Sequence, residues 1–268
     1  MGRPRYKRAM RAMRAIVRRP SPRLADCELT HRERVPIDVD RARHQHEAYV
    51  ELLGGLGAEI TWLEPADEHP DGVFVGDTAV VVPPVAVLTR PGAASRRGEV
   101  ATMRPELARD GRPVVDLLPP ARLDGGDVVL VGLTLYVGVT ERTDDEGRHQ
   151  LTDAVRPHGY QVVPVAVSGV LHLKSALGAL PDGTFVARRD HVDPAALGHA
   201  IILDAPEPTG ADVLAMGEAL VISASAPRTA AAVADLGWTV HLVDIGEFEK
   251  AEAGVTCLSV LDARLAPQ

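Results

Sequence analysis

Cysteine is scarce in this 268-residue chain: only Cys27 and Cys257 occur, and no C-x-x-C pair is formed. That excludes a disulfide scaffold and a thiolate zinc site, and it fits free thiols in a reducing compartment. Long apolar runs are missing as well. No stretch reaches the roughly 18 apolar residues of a membrane span, and no signal-peptide core is present. Positive charge is also in deficit, with a formal net charge of −8. Nucleic acid is therefore a poor partner, since phosphate binding needs a basic footprint, and a cationic ligand suits the chain better. One segment lacks acids, "MGRPRYKRAMRAMRAIVRRP". Residues 1–13 of it read as a disordered basic extension, with a transit peptide or an anionic-surface tether as the alternatives. The expectation is a cytoplasmic protein that binds a small molecule, with no nucleic-acid or membrane partner and a homodimer left open.

What the chain does contain is apolar material, 46% of its residues, enough for a sizeable core. It also contains a repeat. An amphipathic helix over 40–56 and a strand, "AEITWL", precede "DTAVVVPPVAVLTR", which reads as strand, turn, strand. A helix interrupted by Pro105 and a strand, "RPVVDLL", follow. The same order recurs from "GDVVLVGLTLYVGV", from "KSALGALPDGTFVAR" and from "ADVLAMGEALVISAS". A fifth unit opens with "VTCLSVLDARL" and is completed by the N-terminal strand, helix 40–56 and "AEITWL". Units of strand, strand, helix, strand at spacings of roughly 40 to 50 residues mark a radial repeat. The predicted fold is α/β, a five-bladed propeller of ββαβ units over residues 14–268 that closes through the two chain ends.

In such a repeat the residues that open each unit's first strand converge at one end of a central channel. These are Asp77 in the first unit, Asp124 and Asp127 in the second, His172 and Lys174 in the third, Asp212 in the fourth and Cys257 in the fifth. A lone cysteine in an apolar run ordinarily packs as a small hydrophobe. A thiol, an imidazole and several carboxylates gathered in one place are poor core material, because unpaired buried charges are costly. Cysteine beside histidine supplies a nucleophile and a general acid and base. The anionic surroundings suit a cationic electrophile, and a guanidinium matches a carboxylate in a bidentate fork. The carboxylates also oppose ionisation of the thiol, so the resting thiol is expected to be protonated. His44, His46 and Arg41 are assigned to the solvated face of helix 40–56.

Six stretches, "PDGVFVGDTAVV", "LTRPGAASRRGE", "LDGGDVVLVG", "ERTDDEG", "LHLKSAL" and "GVTCLSVL", together resemble the dimethylarginine dimethylaminohydrolases of the guanidino-group-modifying pentein superfamily. The resemblance runs from about residue 14 to the end. It implies the same five-bladed propeller and the hydrolysis of methylated L-arginines to L-citrulline and methylamines, with no metal and no organic cofactor. By motif, Cys257 resembles the nucleophile, His172 the acid that later becomes a base, and Asp124 the carboxylate that orients His172. Asp71 and Asp77 resemble partners of the guanidinium, Arg90 and Arg142 the cations that hold the α-carboxylate, and Leu29 a lid residue. Two positions depart from the pattern. Gly76 stands where family members commonly carry glutamate, and Asp212 where asparagine is common. The alternatives are an arginine deiminase, a hydrolase of another alkylguanidine, and a non-catalytic protein that binds a guanidino ligand.

Overall fold

The computed structural model describes residues 13–198 and 200–263; of the basic extension expected over 1–13, Met13 belongs to the first strand and the rest lies outside the described residues. Among the described residues fifteen strands form five three-stranded sheets, and all five have one design. In the terminal sheet, β1 (Met13–Val17) lies between β2 (Glu59–Trp62) and the last strand of the chain. Helix α1 (Val39–Gly55) joins β1 to β2. The next unit is β3 (Ala79–Val82), β4 (Val85–Leu88), α2 (Met103–Ala108) and β5 (Val114–Asp116). It is followed by β6 (Val128–Val131), β7 (Thr134–Val139), α3 (Asp145–Val155) and β8 (Gln161–Ala166). The fourth sheet holds β9 (Leu177–Ala179), β10 (Phe185–Ala187) and β11 (Ile202–Asp204), with only a 3-10 turn at Pro194–Leu197 in place of its helix. The last full unit is β12 (Leu214–Met216), β13 (Ala219–Ser223), α4 (Pro227–Asp235) and β14 (Thr239–Val243). After α5 (Gly246–Glu249) the chain enters β15 (Val260–Ala263).

In every sheet the first strand pairs antiparallel with the second and the second parallel with the third. A tight hairpin gives the antiparallel pair, and the parallel partner needs the longer crossover that carries the helix. The terminal sheet keeps the rule with strands from both chain ends: β15 pairs antiparallel with β1, which pairs parallel with β2. This is the five-bladed α/β propeller that the repeat predicted. Local chemistry agrees with the pattern. Asp38 caps α1 by accepting the Arg41 N–H at 3.0 Å, and Asp144 caps α3 by accepting the Gly147 N–H at 2.8 Å. Gly132 and Gly217 turn the hairpins at φ +59° and +65°, a region that costs glycine nothing.

Three local expectations give way. The helix between β4 and β5 breaks before Pro105, which sits in the first turn of α2, where the missing N–H has no partner to lose. Cys257 does not open the strand; it closes a 3-10 turn, Val255–Cys257, ahead of β15. His46 is buried among Tyr49, Trp62 and Phe248 rather than solvated, and burial holds its imidazole down at about 4. Arg41 and His44 are exposed as expected. Among the described residues no helix is long and apolar enough to cross a membrane.

Candidate active site

Each first strand is entered through a tight turn, and these turns meet. The turn Val255–Cys257 lies against Val75–Asp77, which lies against Gly125–Asp127, which in turn lies against Leu173–Ser175. The approach is too close for side chains at several points. A Cβ on Gly76 would lie 2.5 Å from the Thr256 carbonyl oxygen, one on Gly125 2.2 Å from the Gly76 oxygen, and one on Gly126 2.6 Å from His172 Nδ1. The Gly-Gly of "LDGGD" is therefore a packing requirement of the ring centre.

His172 is buried between carboxylates. Its Nε2 is 2.9 Å from Asp124 Oδ2, and its Nδ1 faces Asp77 Oδ1 at 3.8 Å. Asp124 is itself fixed, its other oxygen accepting the Gly92 N–H at 2.8 Å. Asp127 accepts the Leu173 N–H at 2.9 Å and the hydroxyls of Thr140 and Thr143 at 2.6 Å, which anchors the backbone next to His172. Burial alone would lower the imidazole, but Asp77, then Asp124 and Asp127, raise it to about 9. His172 is thus a cation at neutral pH. For Asp77, burial pulls upward but is outweighed by His172 and Arg96 and by the hydrogen bonds from Arg96 and Gly126, which hold the carboxyl at about 2.

A cleft lined by Asp71, Asp77, Arg142, His172 and Cys257, with Glu28, Phe74, Arg96 and Leu171, lies above this group. A wider surface opening shares Glu28 and Arg142 with it. Cys257 is half-buried. Burial, followed by the charges of Asp212 and Asp77, pushes its thiol well above the usual range, in line with a protonated resting thiol. Asp71 accepts the Glu28 N–H at 3.1 Å, and burial raises its carboxyl to about 6. Asp77, Asp124 and His172 offer atoms within 4.8 Å of one another, as a metal set would. Their atoms are already engaged, with both ring nitrogens facing carboxylates and Asp77 bound to Arg96.

The structure brings Asp71, Asp77, Arg142, His172 and Cys257 to one cleft, with Asp124 directly behind His172. Arg142 also reaches the loop after β1, donating to the Thr30 hydroxyl at 3.0 Å. Arg90 is half-buried and donates to the Ala121 carbonyl at 2.8 Å, outside the cleft's lining. The Leu29 side chain packs against the apolar cluster beneath α1, while its neighbours Glu28 and Thr30 line the openings. Sequence reasoning missed Arg96 and Glu99. Arg96 is buried, donates to Asp77 Oδ2 at 2.8 Å and forks onto Glu99 at 2.9 and 3.2 Å. The signal was present in "SRRGE", an i, i+3 Arg and Glu pair without any apolar spacing. Arg18 supports this corner by donating to the carbonyls of Gly72 and Glu99 at 2.7 and 2.9 Å.

An α/β propeller with cysteine, cationic histidine and aspartate gathered where its blades meet defines a class of guanidino-site proteins by fold and site. A search against protein-family models finds no match. The chain is 50% identical over 252 residues to an N(G),N(G)-dimethylarginine dimethylaminohydrolase of Streptomyces coelicolor, spanning 94% of this chain and 97% of that protein. Two solved structures of dimethylarginine dimethylaminohydrolase superpose with a TM-score of 0.88. One is a histidine-to-glycine variant adducted with S-methyl-L-thiocitrulline, 32% identical and covering 94% of this chain and 100% of that one. The other is a cysteine-to-serine variant of the Pseudomonas aeruginosa enzyme in complex with citrulline, 31% identical over 94% and 99% of the two chains. The chain belongs to the dimethylarginine dimethylaminohydrolase family.

Proposed function

We propose that this protein hydrolyses Nω-methylated L-arginine to L-citrulline and a methylamine, with Cys257 as nucleophile, His172 as acid and then base, and Asp124 as the group that orients His172. The observation that carries the reading is the buried His172 and Asp124 pair opening, with Cys257, onto one carboxylate-walled cleft. Asp71 and Asp77 attract the guanidinium. Its charge offsets theirs, so the thiol ionises to solvent once substrate is bound. The thiolate attacks the guanidinium carbon, and the resulting tetrahedral adduct is neutral. His172 gives its proton to the methylated nitrogen, the C–N bond breaks, and the amine leaves a cationic S-alkylthiouronium on Cys257. Neutral His172 then takes a proton from water as the oxygen adds to the same carbon. The C–S bond breaks, the adduct's hydroxyl proton returns to the sulfur, and citrulline is released with His172 cationic again.

Arg142, on the cleft wall, serves the substrate's α-carboxylate, since a planar guanidinium pairs with a carboxylate through two parallel hydrogen bonds. Arg90 joins it only by releasing the Ala121 carbonyl. Leu29 covers the site only if the loop after β1 moves. The residues and the reaction need no metal or organic cofactor.

Citrulline release from asymmetric dimethylarginine, monomethylarginine and arginine, with wild type and Cys257→Ser side by side, tests the proposal. Turnover of a methylarginine by wild type, lost in Cys257→Ser, is the expected result. No citrulline from any of the three would overturn it.

A further inference from the structure

On the side of the turns away from the cleft lies a channel walled by β3, β6, β9, β12 and β15. Its inner end carries Gly76, Lys174, Asp212 and Thr256. Asp212 is 5% exposed, yet both its oxygens go to a single residue. Oδ1 accepts the Thr256 N–H and Oδ2 the Thr256 hydroxyl, each at 2.8 Å. Thr256 is the residue before Cys257. The other end of the turn closes on the same carboxylate: a Cβ on Gly254 would sit 2.3 Å from Asp212 Cγ, and the Gly254 N–H donates to Cys257 Sγ at 3.5 Å. Gly76 presses on the opposite face, where a Cβ would be 3.1 Å from Cys257 Cα. The turn is therefore held from the fourth unit by a carboxylate and from the first by bare backbone.

We propose that Asp212 is a positioning residue for Cys257 that also governs when its thiol ionises: it clamps the turn through Thr256 and fixes a negative charge beneath the sulfur, so that thiolate forms readily only with a cation in the cleft above. The inference rests on Cys257 as the nucleophile of the proposed reaction. Burial raises the Asp212 carboxyl to about 6, so it is charged at pH 7 and above. The strongest charges on the thiol are those of Asp212, Asp77 and Lys174, with Tyr49 beside it, and His172, Asp71, Arg96, Arg142, Glu28 and Glu252 line the same cleft above. Asp212 in turn feels Lys174, Asp77 and Tyr49. Lys174 opposes the carboxylate but does not pair with it within salt-bridge distance, so the negative charge is not cancelled at the sulfur. A carboxamide at this place would keep an acceptor for the Thr256 N–H and lose the charge, which separates the two halves of the role.

The test is the pH dependence of iodoacetamide alkylation of Cys257 in ligand-free enzyme, read by peptide mass for wild type, Asp212→Asn and Asp212→Ala. It is paired with kcat and KM for asymmetric dimethylarginine over the same pH range. Cys27 is fully buried and serves as the internal unreactive thiol. Asp212→Asn is expected to melt as wild type does and to shift the alkylation midpoint down by about one pH unit, which is ~10-fold faster labelling below the midpoint. Asp212→Ala is expected to lower kcat about 10-fold or more with little change in KM, as a nucleophile displaced by a fraction of an ångström requires. An alkylation midpoint in Asp212→Asn equal to that of wild type overturns the electrostatic role. Wild-type kcat in Asp212→Ala overturns the clamp. If the alanine variant fails to fold, the asparagine variant decides alone, with an unchanged midpoint and unchanged kcat overturning the proposal. A wild type that alkylates at Cys257 but releases no citrulline would sink the proposed reaction while leaving the coupling of Asp212 to the thiol measurable.

Discussion

Two buried arginine and aspartate networks lie in this molecule, and they differ in what they leave free. Under the terminal sheet, Asp262 is completely buried, with Oδ2 accepting from Arg14 at 2.8 Å and Oδ1 from Arg112. Beside the cleft, Asp77 is almost as buried, with Oδ2 taken by Arg96, but its Oδ1 accepts the Gly126 N–H and faces the His172 ring. Burial, ion pairing and composition are alike. The difference is that Asp262 spends both oxygens on arginines that never meet a cleft, whereas Asp77 lines one. Buried charge is therefore no sign of function by itself; a carboxylate that is fixed on one side and open toward a titratable partner on the other is.

The sharpest break between the two is Asp262→Ala against Asp77→Ala. Losing Asp262 takes its carboxylate from the fully buried Arg14 and from Arg112 and leaves Arg14 only Glu106, at 3.5 Å, so the cost should approach the about 3–5 kcal/mol of breaking a buried pair. Chemical denaturation should show that loss, with citrulline release per folded molecule unchanged. Asp77→Ala should instead cut turnover per folded molecule by about 10²-fold or more, since it removes a charge that keeps the general acid protonated. Equal activity losses in the two variants would dissolve the distinction.

A smaller effect is expected at Gly76. An added methyl must push against the Thr256 carbonyl, and forcing extra volume into packed structure costs about 1–3 kcal/mol. Gly76→Ala should lower both the melting temperature and kcat, because the atom displaced belongs to the nucleophile turn. A fully active, equally stable alanine variant would show that the ring centre has slack.

The mildest expectation concerns pH. The folded-state His172 lies near 9, above its ordinary 6.5, so its contribution to stability is complete below about pH 6.5 and is lost as pH rises through 9. Asp77 is held near 2, below its ordinary 3.8, so its contribution is present above that value and lost as pH falls toward 2. Stability should be flat between about pH 4 and 6.5 in these two groups and decline on the alkaline side. His172→Gln should remove the alkaline decline, and an unaltered alkaline slope in that variant would assign it elsewhere.

Much of the fold was legible because periodicity carries it. The two apolar runs on either side of the Pro-Pro turn in "AVVVPPVAVL" and the recurrence of that pattern named the hairpins and the five units. The span of α1 was readable from the apolar spacing over 40–56, which falls within a residue of Val39–Gly55 at each end. The candidate site was legible to the extent that each unit placed one or two chemistry-bearing residues at the entrance to its first strand. Arg96 and Glu99 were legible only as an i, i+3 pair, because nothing in an arginine-rich loop marks which guanidinium is buried. His46 was misassigned for a related reason: the face of α1 that it shares with Tyr49 packs against Phe248, a contact more than two hundred residues away in sequence.

The sequence by itself determined the unit, its number and the residue types that open each blade, because hydrophobic period and turn chemistry are local properties. Only the tertiary structure decided that Nε2 of His172 meets Asp124, that Asp77 is shared between His172 and an internal arginine, and that Asp212 grips the residue before Cys257. Those are distances between units, set by how closely glycine backbones approach at the ring centre, and no local pattern encodes them.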